Sequence, residues 1–144
     1  MFEKILVKEW MTADVITARP DMPISDAHQI MKKNAIRRLP VEQNGKLVGI
    51  ITIGDVREAS PSDATTLSIW ELNYLWAQLT VEKIMSSDVF TVTAETPILD
   101  AAELMLEHKV SGLPVIKPDE TLAGIITESD IFRMLVRSRV TSAS

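Results

Sequence analysis

The feature that most constrains the fold of this chain is an internal repeat. Residues 7–41 align without a gap on residues 81–115 at an offset of 74. Of those 35 positions, 13 are identical: Val7/Val81, Met11/Met85, Asp14/Asp88, Val15/Val89, Thr17/Thr91, Pro23/Pro97, Ile24/Ile98, Asp26/Asp100, Ala27/Ala101, Met31/Met105, Leu39/Leu113, Pro40/Pro114 and Val41/Val115. The offset then becomes 75, and 47–56 matches 122–131 at six of ten positions: Leu47/Leu122, Gly49/Gly124, Ile50/Ile125, Ile51/Ile126, Thr52/Thr127 and Asp55/Asp130. The slip falls between Gln43-Asn44-Gly45-Lys46 and Lys117-Pro118-Asp119-Glu120-Thr121. Asn-Gly between apolar runs is a strong hairpin signal, and an extra residue in a hairpin tip leaves strand pairing intact. The 144 residues, one domain or two small ones by length, divide into a first unit at 7–58, a linker at 59–80 and a second unit at 81–137.

Each unit is predicted to run strand, helix, strand, strand, helix. The first strand is expected at Val15-Ile16-Thr17 and at Val89-Phe90-Thr91-Val92. Apolar residues at three- and four-residue spacing follow (Ile24, Ala27, Ile30, Met31; Ile98, Ala101, Leu104, Met105), the period of an amphipathic helix. Pro23 and Pro97 suit a first helical turn, and Asp26 and Asp100 suit its positive end. Pro40 and Pro114 remove a ladder donor, so each belongs at the start or edge of a strand. Leu47–Ile51 and Leu122–Ile126 read as strands buried on both faces, with the second helices starting at about Asp55 and Asp130. In the linker, Ser60-Pro61-Ser62-Asp63 reads as a helix stop. Ile69, Leu72, Leu75, Trp76 and Leu79 then share one helical face, which would pack on the units or form a protein-contact surface.

Composition narrows the function. Lys and Arg total 15 against 20 Asp and Glu, a net charge of −5, so the chain lacks the basic field of a non-specific nucleic-acid binder. No apolar run approaches the roughly 20 residues of a membrane span, and Met1-Phe2-Glu3-Lys4 does not open a secretory signal. With no Cys there is no disulfide framework, thiolate metal site or thiol nucleophile. His28 and His108 read as ordinary surface residues without acidic or nucleophilic partners, and no residue cluster suggests a metal or a hydrolytic pair. The expectation is a soluble, cytoplasmic protein without catalysis of its own.

The segments Gly49-Ile50-Ile51-Thr52-Ile53-Gly54-Asp55 and Gly124-Ile125-Ile126-Thr127-Glu128-Ser129-Asp130 could carry chemistry. Thr-x-x-Asp ahead of an apolar run resembles a capping box, in which hydroxyl and acid satisfy orphan helix amides. The same carboxylate can also accept hydrogen bonds from two adjacent hydroxyls, as in a ribose diol, while helix-start amides and the Thr hydroxyl hold a phosphate. The motif alone does not decide between these roles.

Two tandem units of Met-Ser/Thr-x-x-Val-x-Thr, helix, Leu-Pro-Val, hairpin and Gly-Ile-Ile-Thr-x-x-Asp resemble a pair of CBS domains, named after cystathionine beta-synthase. The stretch Asp55–Ser62 is also similar to the CBS portion of acetoin-utilisation regulatory proteins. The resemblance implies an α/β (α+β) fold of two β-α-β-β-α repeats packed about a pseudo-twofold axis, a Bateman module. It further implies two clefts for adenosine-containing regulatory ligands: AMP, ADP, ATP or S-adenosylmethionine. One site would combine Thr52, Gly54 and Asp55 with Phe90, Val110 and Ser111. The other would combine Thr127, Ser129 and Asp130 with Ile16, Ile36 and Arg37. The aspartates would hold ribose, the threonines phosphate and the apolar residues adenine. Arg pairs well with phosphate oxygens, so Arg37 makes the Asp130 cleft the favoured nucleotide site. The apolar run Ile131–Val136 and the family habit of pairing through such helices imply a homodimer, acting on an unidentified effector protein rather than on nucleic acid or a membrane. The rival readings are a structural dimerisation scaffold with degenerate sites and a small nucleotide-processing enzyme.

Overall fold

The computed structural model describes residues 2–60 and 68–143, so the readings made at Pro61–Asp63 and at Leu67 lie outside the described residues. The chain forms two compact units, Ile16–Asp88 and Met1–Val15 together with Val89–Ser144. These units do not coincide with the two sequence repeats, because the leading segment of each repeat packs with the body of the other.

In the unit Ile16–Asp88 the order is α1 (Ile24–Lys33), β1 (Arg38–Gln43), β2 (Lys46–Thr52), α2 (Ile53–Ala59), α3 (Ile69–Gln78) and the single turn α4 (Val81–Ile84). In the other unit a 3-10 turn at Val7–Glu9 joins α5 (Ile98–His108), β3 (Gly112–Ile116), β4 (Leu122–Thr127) and α6 (Glu128–Ala143). Each sheet is an antiparallel hairpin, with Arg38 opposite Thr52 and Gly112 opposite Thr127. Asn44 and Gly45 both have positive φ at the first tip, the geometry that Asn-Gly supplies in a two-residue turn. At the second tip, the Asp119 carboxylate accepts from the Thr121 hydroxyl at 2.6 Å and the Thr121 amide at 3.1 Å.

The two cores repeat position by position. Fully buried Ala18, Ile24, Ala27, Met31, Leu39, Val41 and Ile51 in one unit correspond to Val92, Ile98, Ala101, Met105, Leu113, Val115 and Ile126 in the other. The exchanged segments complete both cores: Val81 is buried with the first set and Val7 with the second. They also satisfy helix ends. Pro23 and Pro97 are N-caps whose side chains cap nothing. The first amides of α1 and α5 instead donate to the Leu79 carbonyl at 3.0 Å and the Ile5 carbonyl at 2.8 Å, which satisfies orphan donors of each helix start.

The structure corrects four expectations. The first strands at Val15–Thr17 and Val89–Val92 form no ladder; a single parallel bridge stands at the end of each segment, Ala18, just beyond Thr17, with Val41, and Val92 with Val115. The Ala18 amide donates to the Pro40 carbonyl and the Glu42 amide to the Ala18 carbonyl. The next bond of that ladder would come from Pro40 to Ile16, and proline has no N–H to give; Pro114 imposes the same stop at Phe90. Second, α2 and α6 begin two residues ahead of the aspartates. Third, β2 and β4 are not buried on both faces: Gly49 and Ile51 are buried while Val48 and Ile50 are half-buried. Fourth, the predicted apolar face of the linker helix is only partly covered. Trp76 and Leu79 pack on the core, whereas Ile69 and Leu75 are exposed together with Trp70 and Tyr74.

Two glycines are required by the exchange. A Cβ on Gly124 would lie 2.6 Å from the Thr12 carbonyl oxygen, and one on Gly49 would lie 2.9 Å from that of Ser86 and 2.5 Å from the Met85 sulfur. These contacts flank the paired bonds between Thr12 and Ile125 and between Ser86 and Ile50. Gly124→Ala should therefore cost about 1–3 kcal/mol of stability, the range for overpacking against backbone, measured by denaturant unfolding. Gly54→Ala, whose Cβ would meet only the Thr52 hydroxyl at 3.6 Å, should be neutral or stabilising. The bonds from Thr121, side chain first and backbone second, hold Asp119 below the ordinary aspartate range. A depressed folded pKa makes its contribution to stability present above the unfolded pKa of about 3.9 and lost as pH falls through the folded one. A side-chain NMR titration should show this low value, and Thr121→Val should raise it towards the ordinary one.

Candidate functional site

Both Thr-x-x-Asp motifs stand where the last strand of a hairpin turns directly into a helix, the threonine ending the strand and the next residue opening the helix. In the Ile16–Asp88 unit, Thr52 is the N-cap of α2. Its amide donates to Asp55 Oδ2 at 2.9 Å while its hydroxyl accepts from the Asp55 amide at 3.1 Å, a complete reciprocal capping box. Asp55 is half-buried and Gly54 exposed. The Arg37 carbonyl accepts from the first amide of α2, that of Ile53, at 2.8 Å. Residue 37 is thereby brought beside the motif of its own unit. Ala35, in the left-handed region at φ 53°, turns the chain from α1 into Ile36 and Arg37.

The second motif is built on the same backbone but bonded differently. The Ser111 carbonyl accepts from the Glu128 amide at 3.0 Å, the counterpart of the Arg37 contact. The Thr127 amide again donates to Asp130 Oδ2, at 2.9 Å, but the Thr127 hydroxyl donates to the same oxygen at 3.2 Å. Asp130 is only 4% exposed, the one buried charged side chain among the described residues. Its Oδ1 accepts from Arg133 Nη1 at 2.8 Å, and the Arg133 side chain is itself half exposed. Ser129 is exposed.

The remaining nominated residues divide between the units. Ile16 (38% exposed), Ile36 and Arg37 lie with Asp55; Phe90 (42% exposed), Val110 and Ser111 lie with Asp130. The proline that ends each bridge keeps Ile16 and Phe90 out of any ladder and leaves their side chains at the surface. His108 is an exposed residue that stacks on Phe90 with ring centroids 3.6 Å apart, and half-buried His28 packs against Trp76. Sequence reasoning missed the ion pair made by Arg133 and the stacking of His108 on Phe90. Arg133 had a legible signal, since a cation three residues beyond an acid shares its helix face. His108 had none, because its contact depends on where the non-ladder segment around Phe90 runs. A groove of about 450 Å³ nearby is lined by Thr91, Thr93, Thr96, Asp100, Glu103 and Glu107. It includes none of the nominated residues and presents carboxylates to any anion. No group of three or more metal-ligating side chains occurs among the described residues, and among them no helix is long and apolar enough to cross a membrane.

A hairpin feeding a helix through Gly-Ile-Ile-Thr-x-x-Asp occurs twice, once in each compact unit, and defines a tandem repeat protein. The CBS domain family matches residues 7–62 and 81–137, and the chain belongs to that family. It is 33% identical over 138 residues to the uncharacterised protein MJ1225 of Methanocaldococcus jannaschii, covering 91% of this chain and 47% of that one. The chain thus spans half or less of the first curated relatives it matches. The CBS pair of protein MJ0100 in complex with 5′-methylthioadenosine and S-adenosyl-L-methionine is 32% identical, with a TM-score of 0.77 over 93% of this chain and 98% of that one. CBSX2 in complex with AMP, a protein of Arabidopsis thaliana, is 26% identical, with a TM-score of 0.79 over 93% and 98%. An acetoin utilisation protein of Vibrio cholerae is 27% identical, with a TM-score of 0.79 over 97% of each chain.

The asymmetry in capping is measurable. Thr52→Ala removes the acceptor of a helix-start amide and should cost about 1 kcal/mol, as N-cap losses do. Thr127→Ala removes a donor to the buried Asp130 instead, and should cost stability that Arg133 partly offsets; a double-mutant cycle with Arg133→Ala should show coupling between the two positions, read by denaturant unfolding.

Proposed function

We propose that this CBS pair is a regulatory module, without catalysis, that binds adenosine-containing ligands such as AMP, ADP, ATP or S-adenosylmethionine. The observation that carries the reading is the pair of carboxylates, Asp55 and Asp130, each fixed at the junction of a strand and a helix by the amide of the threonine before it. A carboxylate fixed in this way is preorganised to accept the two hydroxyls of a ribose, and the flanking helix start favours an anionic group. The AMP complex of CBSX2 and the methylthioadenosine and S-adenosylmethionine complex of MJ0100 support the ligand class. The family resemblance assigns Ile16, Ile36, Arg37, Thr127 and Ser129 to the Asp130 site and Thr52, Gly54, Phe90, Val110 and Ser111 to the Asp55 site, and the proposal keeps those roles. The protein would act in the cytoplasm as a homodimer on an effector protein; exposed Leu99 and Leu106 on α5 and Phe132, Leu135 and Val136 on α6 supply an apolar surface for that pairing.

Thermal unfolding with AMP, ADP, ATP and S-adenosylmethionine tests the reading. A true ligand at 100 times its Kd should add about 2.7 kcal/mol of stability, and Asp55→Ala with Asp130→Ala together should abolish the gain. No stabilisation by any of the four would favour the scaffold reading, in which the complete capping box at Thr52 and Asp55 is purely structural. Light scattering at micromolar concentration should give the mass of a dimer.

A further inference from the structure

The two aspartates occupy equivalent positions but present unequal lone pairs, because Asp130 accepts two bonds that Asp55 does not, from the Thr127 hydroxyl and from Arg133. Asp55 uses Oδ2 for the Thr52 amide, and no hydrogen bond reaches its Oδ1 from the described residues. Asp130 uses Oδ2 for both the Thr127 amide and hydroxyl and Oδ1 for Arg133. A carboxylate offers about four acceptor positions; Asp55 has about three left, whereas Asp130 has about one. A diol needs two. The residue that corresponds to Arg133 in the first repeat, at the offset of 75, is Glu58, so α2 offers Asp55 a like charge at that place.

We infer that Arg133 is a specificity-determining residue at Asp130, selecting phosphorylated nucleosides over uncharged ones. The inference rests on the reading of Asp130 as a ribose acceptor. An uncharged nucleoside reaching this carboxylate has to displace a guanidinium and gives it nothing in return. A nucleoside phosphate displaces the same guanidinium and offers it phosphate oxygens, to which Arg bonds in a planar fork. Arg133 is suited to such an exchange: its side chain is 49% exposed while that of Asp130 is 5% exposed, so the cation can swing into solvent whereas the carboxylate stays. Asp55, with no cation on it among the described residues, accepts either kind of nucleoside. In population terms, the ion pair lowers the fraction of binding-competent Asp130 and raises the apparent Kd of any ligand that does not re-engage the arginine.

Calorimetry on the full chain carrying Asp55→Ala, which leaves one site, tests this with AMP and adenosine as probes. AMP should bind at least about tenfold more tightly than adenosine, a modest coupling by the usual scale. Arg133→Met retains an unbranched aliphatic side chain, so folding should survive; it should tighten adenosine and weaken AMP, lowering the ratio at least about threefold while Arg37 keeps the remainder of the preference. Arg133→Lys retains a cation and should retain most of the preference, and it serves as the second variant if the methionine chain does not unfold cooperatively. An unchanged ratio in Arg133→Met, or equal weakening of both probes, would overturn the inference and mark the ion pair as structural. If the unaltered chain binds both probes and Asp55→Ala binds neither, the inference falls and the proposed function stands. If the unaltered chain binds neither probe nor S-adenosylmethionine, both fall.

Discussion

The rest of the structure depends on a small set of backbone hydrogen bonds through which each repeat completes the other's body. Ile24 and Ile98 begin their helices without side-chain caps, and their amides find the carbonyls of Leu79 and Ile5. Two residues further along each donating segment, Val81 and Val7 enter the cores. Beyond these, Ser86 and Thr12 pair with Ile50 and Ile125 across the backs of Gly49 and Gly124. A buried amide left unpaired costs about 1–3 kcal/mol, so a repeat stripped of its donated segment would lose a cap, a core residue and a strand partner together. A 50-residue unit buries too little surface to absorb that loss.

The candidate sites follow from the same economy. Because β2 and β4 are held in register by their hairpins and backed by the donated segments, the chain leaves each strand in a fixed direction. Thr52 and Thr127 then start a helix immediately, which brings the Oδ2 of the following aspartate onto the threonine amide. The prolines of Leu-Pro-Val act on the other side of each hairpin: by withholding one N–H they end the parallel bridge and leave Ile16 and Phe90 outside the sheets. One covalent peculiarity of proline thus shapes both the limit of the sheet and the surface next to it.

Much of this was legible because it is local. The spacing of Ile24, Ala27 and Met31, the Asn-Gly tip and the Thr-x-x-Asp junction each specify structure within a few residues, and duplication reads each of them twice. Reading fails where the decisive partner is distant or is a missing atom. Val15-Ile16-Thr17 has the apolar, β-branched look of a strand, but its fate is settled by an absent hydrogen on Pro40. Val7 and Val81 are recognisable as buried residues, yet nothing in their periodicity tells which body buries them. Ile69 and Leu75 share a helical face with Trp76, but only Trp76 finds a core to meet. At the site, Thr52 and Asp55 were legible as a possible cap, whereas the reversed role of the Thr127 hydroxyl, which donates to the carboxylate that also accepts from Arg133, was not.

The exchange of leading segments also orders the chain in time. The body Ile16–Asp88 is continuous in sequence, so all of its core, Val81 included, has been synthesised before the second repeat begins its own helix. The other body is assembled from both ends of the chain, and Val7 must wait for Leu113, Ile126 and Met134 before its cavity exists. Domains fold as units as they emerge during synthesis, and of the two bodies Ile16–Asp88 is the one whose core is complete before the second repeat is made. Until the second repeat is made, the segment around Thr12 is a strand partner in search of a sheet.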